Sequence, residues 1–134
     1  MTEPVVIRLD PTPRAVKLAR DALDRFRGRL PDRTIEDARL LISELVTNSV
    51  RHASLPPDQP IEVKLGLDGR RLRVEVVDQG PGFPSRPRTE GPPSGFGRGL
   101  FLVDRIATAW GTRTDGATHV WFELEPSDTT ASTS

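Results

Sequence analysis

One helical segment, residues 40–53, places the strongest constraint on what this chain can fold into. Glu44, Asn48 and His52 recur in it every four residues, so at about 100° per residue they share one edge of a helix. The small and apolar stripe beside this edge consists of Ala38, Leu41, Ile42, Leu45, Ser49 and Ala53. A carboxylate and a carboxamide next to a core stripe are either boundary groups hydrogen-bonded to a neighbouring element or part of a cleft.

Two further helices are predicted around this one. The first begins after Thr12, interpreted as its N-cap, and ends at Gly28. Its apolar stripe consists of Ala15, Leu18, Ala19, Ala22, Leu23 and Phe26. The central helix is expected to begin at Thr34 and Asp37, whose spacing resembles a capping box. Residues 100–107 indicate a third, short helix.

Five segments alternate between apolar and polar residues as strands do, and they are residues 5–9, 61–67, 71–77, 110–113 and 118–124. An Asp-Gly dipeptide joins the second to the third and another joins the fourth to the fifth, which is a strong hairpin signal. In the first hairpin one face is apolar and the other is charged. We therefore expect helices to cover one side of the sheet only.

Length and composition narrow the class of protein. A chain of 134 residues is most economically one domain, expected over residues 1–126, with a small polar tail at 127–134 that we expect to be disordered. The 19 basic and 19 acidic residues cancel, which argues against direct nucleic-acid binding. The absence of Cys excludes a thiolate nucleophile and a Cys-based zinc site. Without a signal peptide or an apolar span, a cytoplasmic protein with no membrane partner is expected.

Two glycine-rich motifs carry the remaining chemical signal. Asp78-Gln-Gly-Pro-Gly82 follows directly after a predicted strand, where a carboxylate can accept from an exocyclic amine and glycines let a ligand approach. Gly95-Phe-Gly-Arg-Gly-Leu100 opens the third helix and offers backbone N–H groups to an anion. Taken alone, the first motif is a turn and the second a hinge or linker. Neither is a Walker loop, because no Lys-Ser/Thr follows.

In their order along the chain these motifs resemble the GHKL ATPases with the Bergerat fold. The set is E-x-x-x-N-x-x-x-H from Glu44, D-x-G-x-G from Asp78, G-x-G-x-G-L from Gly95 and G-x-T ending at Thr118. The resemblance covers residues 34–124 and is greatest to small anti-sigma-factor serine kinases. It implies an α+β, two-layer sandwich in which a mixed, mostly antiparallel sheet carries three helices on one face.

The resemblance also implies roles for individual residues. Asn48 would bind Mg²⁺ that bridges the ATP phosphates, and Glu44 would be the catalytic general base. Asp78 would accept from the adenine amine with support from Thr118, and residues 84–98, chiefly 85–94, would form a lid. The other residues implied to contact ATP are Arg51, His52, Gly80, Gly82, Gly95, Gly97, Arg98, Gly99 and Leu100. The alternative for His52 is that it caps carbonyl groups at the helix end.

Three functions remain open at this point. One is a serine/threonine kinase that phosphorylates an anti-sigma antagonist of the STAS type. Another is a non-catalytic module that sequesters a sigma factor, with ATP setting its conformation and Trp121 or the basic face of the first helix providing contacts. A detached catalytic module of a histidine kinase is disfavoured, since no dimerisation helices are seen in the sequence. The sequence leaves a homodimer open.

Overall fold

The computed structural model of the chain describes residues 4–52, 60–78 and 96–126. Its elements in chain order are β1 (Val5–Leu9), α1 (Arg14–Ala22), a 3-10 turn (Leu23–Phe26), α2 (Asp32–His52), β2 (Ile61–Asp68), β3 (Arg71–Asp78), α3 (Phe96–Ile106), β4 (Ala109–Thr114) and β5 (Thr118–Leu124). The predicted lid at 84–98 lies outside the described residues except for its last three. The predicted tail at 127–134 lies wholly outside them.

The strands form one five-stranded sheet in the order β1-β2-β3-β5-β4. Both Asp-Gly hairpins form where the sequence predicts them, and Gly69 and Gly116 have φ angles of 65° and 91° at the two turns. Those angles lie in the left-handed region, which glycine adopts without steric cost. The expected α+β sandwich is confirmed, although all four pairings between the described strands are antiparallel, so the sheet is not mixed.

The hydrophobic core lies between the sheet and the helices. Alternate residues of β2 and β3 are buried on one face, and α2 contributes the largest set of helical core residues. That set consists of Ile35, Ala38, Leu41, Ile42, Leu45 and Val46. The opposite face, called here the helix-free face, carries mostly polar side chains: Glu62, Lys64, Arg71, Arg73, Glu75, His119, Trp121 and Glu123. This alternation confirms the expected one-sided covering by helices.

The first helix differs from the prediction at its start and along its stripe. Pro13, not Thr12, occupies the N-cap, and no side chain caps the helix. The buried residues follow the spacing Ala15, Ala19 and Leu23, which leaves Leu18 at the edge of the stripe with 44% of its surface exposed. Leu18, which the sequence places in the apolar stripe, therefore lies mostly outside the core.

The second and third helices begin earlier than predicted. The N–H of Ile35 donates to the carbonyl of Pro31 at 3.1 Å, so α2 begins at Asp32 and Thr34 lies inside its first turn. The capping box predicted at Thr34 was therefore wrong. The third helix begins at Phe96, which places most of the glycine-rich motif within its first turn. Within the described residues, no helix is long and apolar enough to cross a membrane.

Trp121 lies flat on the helix-free face against a glycine of the neighbouring strand. A Cβ atom added at Gly111 would lie 2.9 Å from three indole atoms of Trp121. From another direction, the Arg73 guanidinium carbon lies 4.3 Å from the indole centroid. Because the guanidinium and the strand backbone both restrict the indole, the ring has little room to move away from a new methyl group.

We therefore expect Gly111→Ala to lower the free energy of unfolding by about 1–3 kcal/mol, measured by urea denaturation. The matched control is Gly66→Ala, since an added Cβ there would meet only Pro4, at an ordinary 3.6 Å. We expect that control to change stability by less than about 1 kcal/mol. Equal losses in the two variants would contradict the role given to the indole.

Candidate functional site

The second half of α2 brings two of the predicted side chains to the edge of the core. Asn48 is buried, with 2% of its surface exposed. Glu44 lies one turn earlier on the same helix and is half-buried. The four-residue spacing therefore produces a shared helix edge at the boundary of the core, as the sequence predicts.

The ends of two adjacent strands supply the next pair. Asp78 is the last residue of β3 and pairs in register with Thr118, the first residue of β5. Both are buried, with 6% and 2% of their surfaces exposed. Because side chains alternate along strands, Asp78 and Thr118 share the face of Val76 and Val120, which is the face that the helices cover.

A buried hydrogen bond joins α2 to this strand end. The Ser49 hydroxyl donates to Oδ2 of Asp78 at 2.6 Å, which is short, as expected for an O–H···O bond to a carboxylate. Asn48 is the residue before Ser49, so the helix edge and the strand end meet at the same end of the sheet. The structure thus brings Asn48 and Asp78 to one region of the molecule although 30 positions separate them.

Ser49 is a site residue that the sequence prediction missed, because it was assigned to the small and apolar stripe of α2. The signal was present, since a hydroxyl within a buried stripe needs a hydrogen-bond partner. No local pattern in the sequence indicated which residue that partner would be.

The amide nitrogen of Asn48, Nδ2, is buried without a partner in the described part of the fold. A buried amide left without partners costs free energy, and a side chain kept for a ligand is one explanation for it. The donor set also fits Mg²⁺, which typically takes few protein oxygens together with phosphates and waters. In the described ranges, no group of three or more His, Cys, Asp or Glu side chains is arranged to bind a metal.

The first turn of α3 holds the remaining predicted site residues that the structure describes. The first four backbone N–H groups of any helix, counted from its N-cap, have no partner within the helix, and in α3 they include those of Phe96, Gly97 and Arg98. Leu100 follows and is buried in the core. The helix macrodipole adds partial positive charge at this end, so the turn suits an anion.

Several predicted site residues are described only in part or not at all. Arg51 and His52 form the last turn of α2, and Arg98 lies in the first turn of α3, but their side chains are outside the described set. Gly80, Gly82 and Gly95 lie between or beyond the described ranges. Their predicted contacts therefore stay predictions.

Two cavities in the described part of the chain lie away from this region. One, of about 270 Å³, is on the helix-free face and is lined by residues that include Lys64 and Arg73. The other, of about 450 Å³, lies beside the start of α2 and the end of β5, near Thr34 and Leu124. Since Asn48 and Asp78 lie towards the opposite ends of their elements, neither cavity is part of the candidate site.

Comparison with known proteins gives three kinds of similarity. Residues 9–124 match the family model described as histidine kinase-like ATPase domain. The serine-protein kinases RsbW of Listeria innocua serovar 6a and Listeria monocytogenes serotype 4a are each 31% identical over 93 residues. That alignment covers 67% of this chain and 59% of each relative, so the chain spans less than two thirds of their length.

Two solved structures resemble the fold. The crystal structure of the RsbU and RsbW domains of Rv1364c from Mycobacterium tuberculosis aligns with a TM-score of 0.70 and 23% identity. The alignment covers 91% of this chain and 32% of that one. The blue-light activated histidine kinase EL346 of Erythrobacter litoralis aligns with a TM-score of 0.58 and 22% identity, over 93% and 44% of the two chains. At these identities the likeness supports the fold.

Proposed function

Because this chain belongs to the histidine kinase-like ATPase domain family, we propose that it binds ATP with Mg²⁺ and transfers the γ-phosphate to a serine of an anti-sigma antagonist protein. The names of the Listeria relatives, serine-protein kinases, support the class of reaction. The observation that carries the proposal is the Ser49–Asp78 hydrogen bond, since it brings the α2 edge with Glu44 and Asn48 to the end of β3.

The base of the nucleotide is assigned to the strand ends. The Asp78 carboxylate accepts a hydrogen bond from the exocyclic amine of adenine, and Thr118 supports this contact from β5. An ionised carboxylate has about four acceptor positions, so its bond from Ser49 is compatible with a further donor. Gly80 and Gly82, which follow Asp78 in the sequence, are proposed to form the adjoining wall of the pocket.

The phosphates are assigned to the two helix ends. Asn48 would hold Mg²⁺ through its amide oxygen, and the bound ion would offset phosphate charge. Backbone N–H groups from Gly95 to Gly99 would donate to phosphate oxygens, because the first turn of α3 leaves its own N–H groups without helical partners. Arg51, His52 and Arg98 are proposed to add positive charge there, and residues 84–98 are proposed to be the lid.

Proton transfer is assigned to Glu44. It lies one helical turn from Asn48, so a serine hydroxyl near the γ-phosphate would come within reach of its carboxylate. The carboxylate accepts the hydroxyl proton as the serine oxygen bonds to phosphorus, and the bond from phosphorus to the bridging oxygen of the leaving ADP breaks. The proton therefore ends on Glu44, and the negative charge leaves with ADP.

A second candidate function is an ATP-gated module that binds a sigma factor without phosphate transfer. The observation that favours it is the surface of α1, where the exposed Leu18 lies among the exposed basic side chains of Arg14 and Lys17. A leucine beside two basic side chains would suit a partner that presents acidic groups around an apolar contact.

Two measurements separate these functions. Equilibrium titration of a fluorescent ATP analogue, with and without Mg²⁺, tests nucleotide binding alone. Incubation with radiolabelled Mg-ATP and a STAS-type antagonist then tests transfer, with label on a serine of the antagonist as the expected result. Binding of a sigma factor without label transfer would support the second function. Failure of the analogue to bind would contradict both.

A further inference from the structure

A histidine on the helix-free face lies between two carboxylates. Nδ1 of His119 is 2.8 Å from a carboxylate oxygen of Glu75, and Nε2 is 2.9 Å from a carboxylate oxygen of Asp115. Arg113 completes the group, with its guanidinium 3.2 Å from Nδ1 of the histidine and 3.1 Å from Asp115. On the far side of Glu75, Arg73 approaches the other carboxylate oxygen at 3.7 Å. His119, Glu75, Asp115 and Arg113 are named here the histidine cluster.

The two carboxylate contacts of the cluster suit a proton on each ring nitrogen. A carboxylate oxygen accepts and does not donate, so each nitrogen that contacts one must carry N–H. At Nδ1 the contact to Glu75 is shorter than the contact to Arg113, so that nitrogen donates to the carboxylate. A protonated imidazole in this position, together with Arg113, would offset the charges of Glu75 and Asp115. Hydrogen bonds from Arg113 lower the pKa of Asp115 and outweigh the effect of its desolvation, which favours this charged form.

The cluster lies directly behind the proposed base-binding residues. His119 follows Thr118 in β5, so the two side chains point to opposite faces of the same strand end. His119 pairs in register with Val77 of β3 and with Arg113 of β4. The register pair that follows along β3 is Asp78 with Thr118, and it is the last of that ladder. The cluster thus ties three strands together one residue before the ladder ends.

We propose that His119 is a positioning residue, which fixes the end of β5 against β3 and so holds Thr118 and Asp78 in the arrangement that binds the nucleotide base. This inference rests on the proposed nucleotide binding. The residue does not touch the ligand, because its side chain lies on the other face of the sheet. Residues that hold a binding group in place affect affinity without touching the ligand. In metal sites, loss of such a residue typically lowers affinity by about 10–100-fold.

The same face supplies a matched control at its other end. Glu123 accepts from Arg71 at 2.7 Å and from Arg73 at 3.1 Å, so it is a carboxylate of the same face that is likewise paired with basic side chains. Burial alone would raise the pKa of Glu123, but the hydrogen bonds from the two arginines outweigh burial and lower it. Glu123 pairs in register with Arg73, which lies five positions before Asp78 in β3. Replacing the Glu123 carboxylate should therefore weaken the sheet at a distance from the site.

The experiment compares His119→Gln, Glu75→Gln and Glu123→Gln in the full chain. For each, the affinity for a fluorescent ATP analogue is measured by titration and the stability by urea denaturation. We expect His119→Gln and Glu75→Gln to weaken nucleotide binding by about tenfold, and Glu123→Gln by less than about twofold, at similar losses of stability. Glutamine at 119 can reach only one of the two carboxylates and carries no charge, so it removes the bridge between them.

A pH series adds a readout that a purely structural role would not give. The bridge depends on a protonated imidazole, so the ratio of wild-type to His119→Gln affinity should fall towards one once the pH is high enough to deprotonate the ring. Because both proteins bind the same nucleotide, any effect of pH on the nucleotide cancels in this ratio of affinities. Two outcomes would overturn the inference: wild-type affinity in both His119→Gln and Glu75→Gln, or an equal loss in Glu123→Gln. If the wild-type chain bound no analogue, the proposed function would fail first, and this inference with it.

Discussion

Asp78→Asn is expected to weaken the binding of ATP by about 100-fold, because it replaces an acceptor with a donor where the adenine amine is proposed to lie. The asparagine oxygen can still accept from Ser49, so the buried bond between α2 and β3 can be kept. Its amide nitrogen would then face the adenine amine, and two donors would meet without an acceptor. Equilibrium titration of a fluorescent ATP analogue measures the change.

The matched control is Ser49→Ala, which removes the donor to Asp78 and leaves the carboxylate intact. Because a hydrogen bond of this kind contributes on the order of 1 kcal/mol, we expect a loss in ATP affinity of about tenfold or less. Urea denaturation of both variants shows whether they remain folded. Wild-type affinity in a folded Asp78→Asn variant would refute the assignment of the adenine amine to this carboxylate.

Glu44→Ala is expected to lower the rate of phosphate transfer to a STAS-type antagonist by about 10²–10⁴-fold, the typical contribution of a general base. Nucleotide affinity should change little, because the base acts on the serine hydroxyl. Single-turnover transfer of label from Mg-ATP measures the rate, and the fluorescent analogue measures affinity in the same preparation.

The control for this variant lies next to it in the same helix. The Ser43 hydroxyl donates to the backbone carbonyl of Arg39 at 2.6 Å, so its contact is local to the helix. Ser43→Ala should therefore retain both nucleotide affinity and transfer. Phosphate transfer at the wild-type rate in Glu44→Ala would contradict the proposal that Glu44 is the general base. A parallel loss of affinity in that variant would mean that Glu44 serves binding instead.

The parts of this fold that depend on neighbouring residues could be predicted from the sequence. Both hairpins were predicted from Asp-Gly dipeptides, because the glycine needs a positive φ that the dipeptide itself signals. The one-sided covering of the sheet was predicted from alternation in β2 and β3. Helix starts were predicted less well. Pro31 and Pro13 lie at the actual starts of α2 and α1. The prediction relied instead on the nearby threonines, Thr34 and Thr12, as capping residues.

The parts of the site that depend on distant residues could be predicted only in outline. The motif order indicated that Asn48 and Asp78 belong to one site, but no local pattern showed that Ser49 would connect them. The histidine cluster was likewise missed. His119, Glu75 and Asp115 become neighbours only through the register of three strands, and local alternation indicates pairing directions more readily than register.

The hydroxyl–carboxylate contact between α2 and β3 has a consequence for the choice of purine. The Asp78 carboxylate accepts a hydrogen bond from Ser49 and can accept others. The proposed pocket therefore presents a hydrogen-bond acceptor to the ring position that carries an amine in adenine. Guanine carries a carbonyl oxygen at that position, and two acceptors would repel each other. Discrimination of ATP from GTP would then reside in one fixed acceptor and would need no steric exclusion.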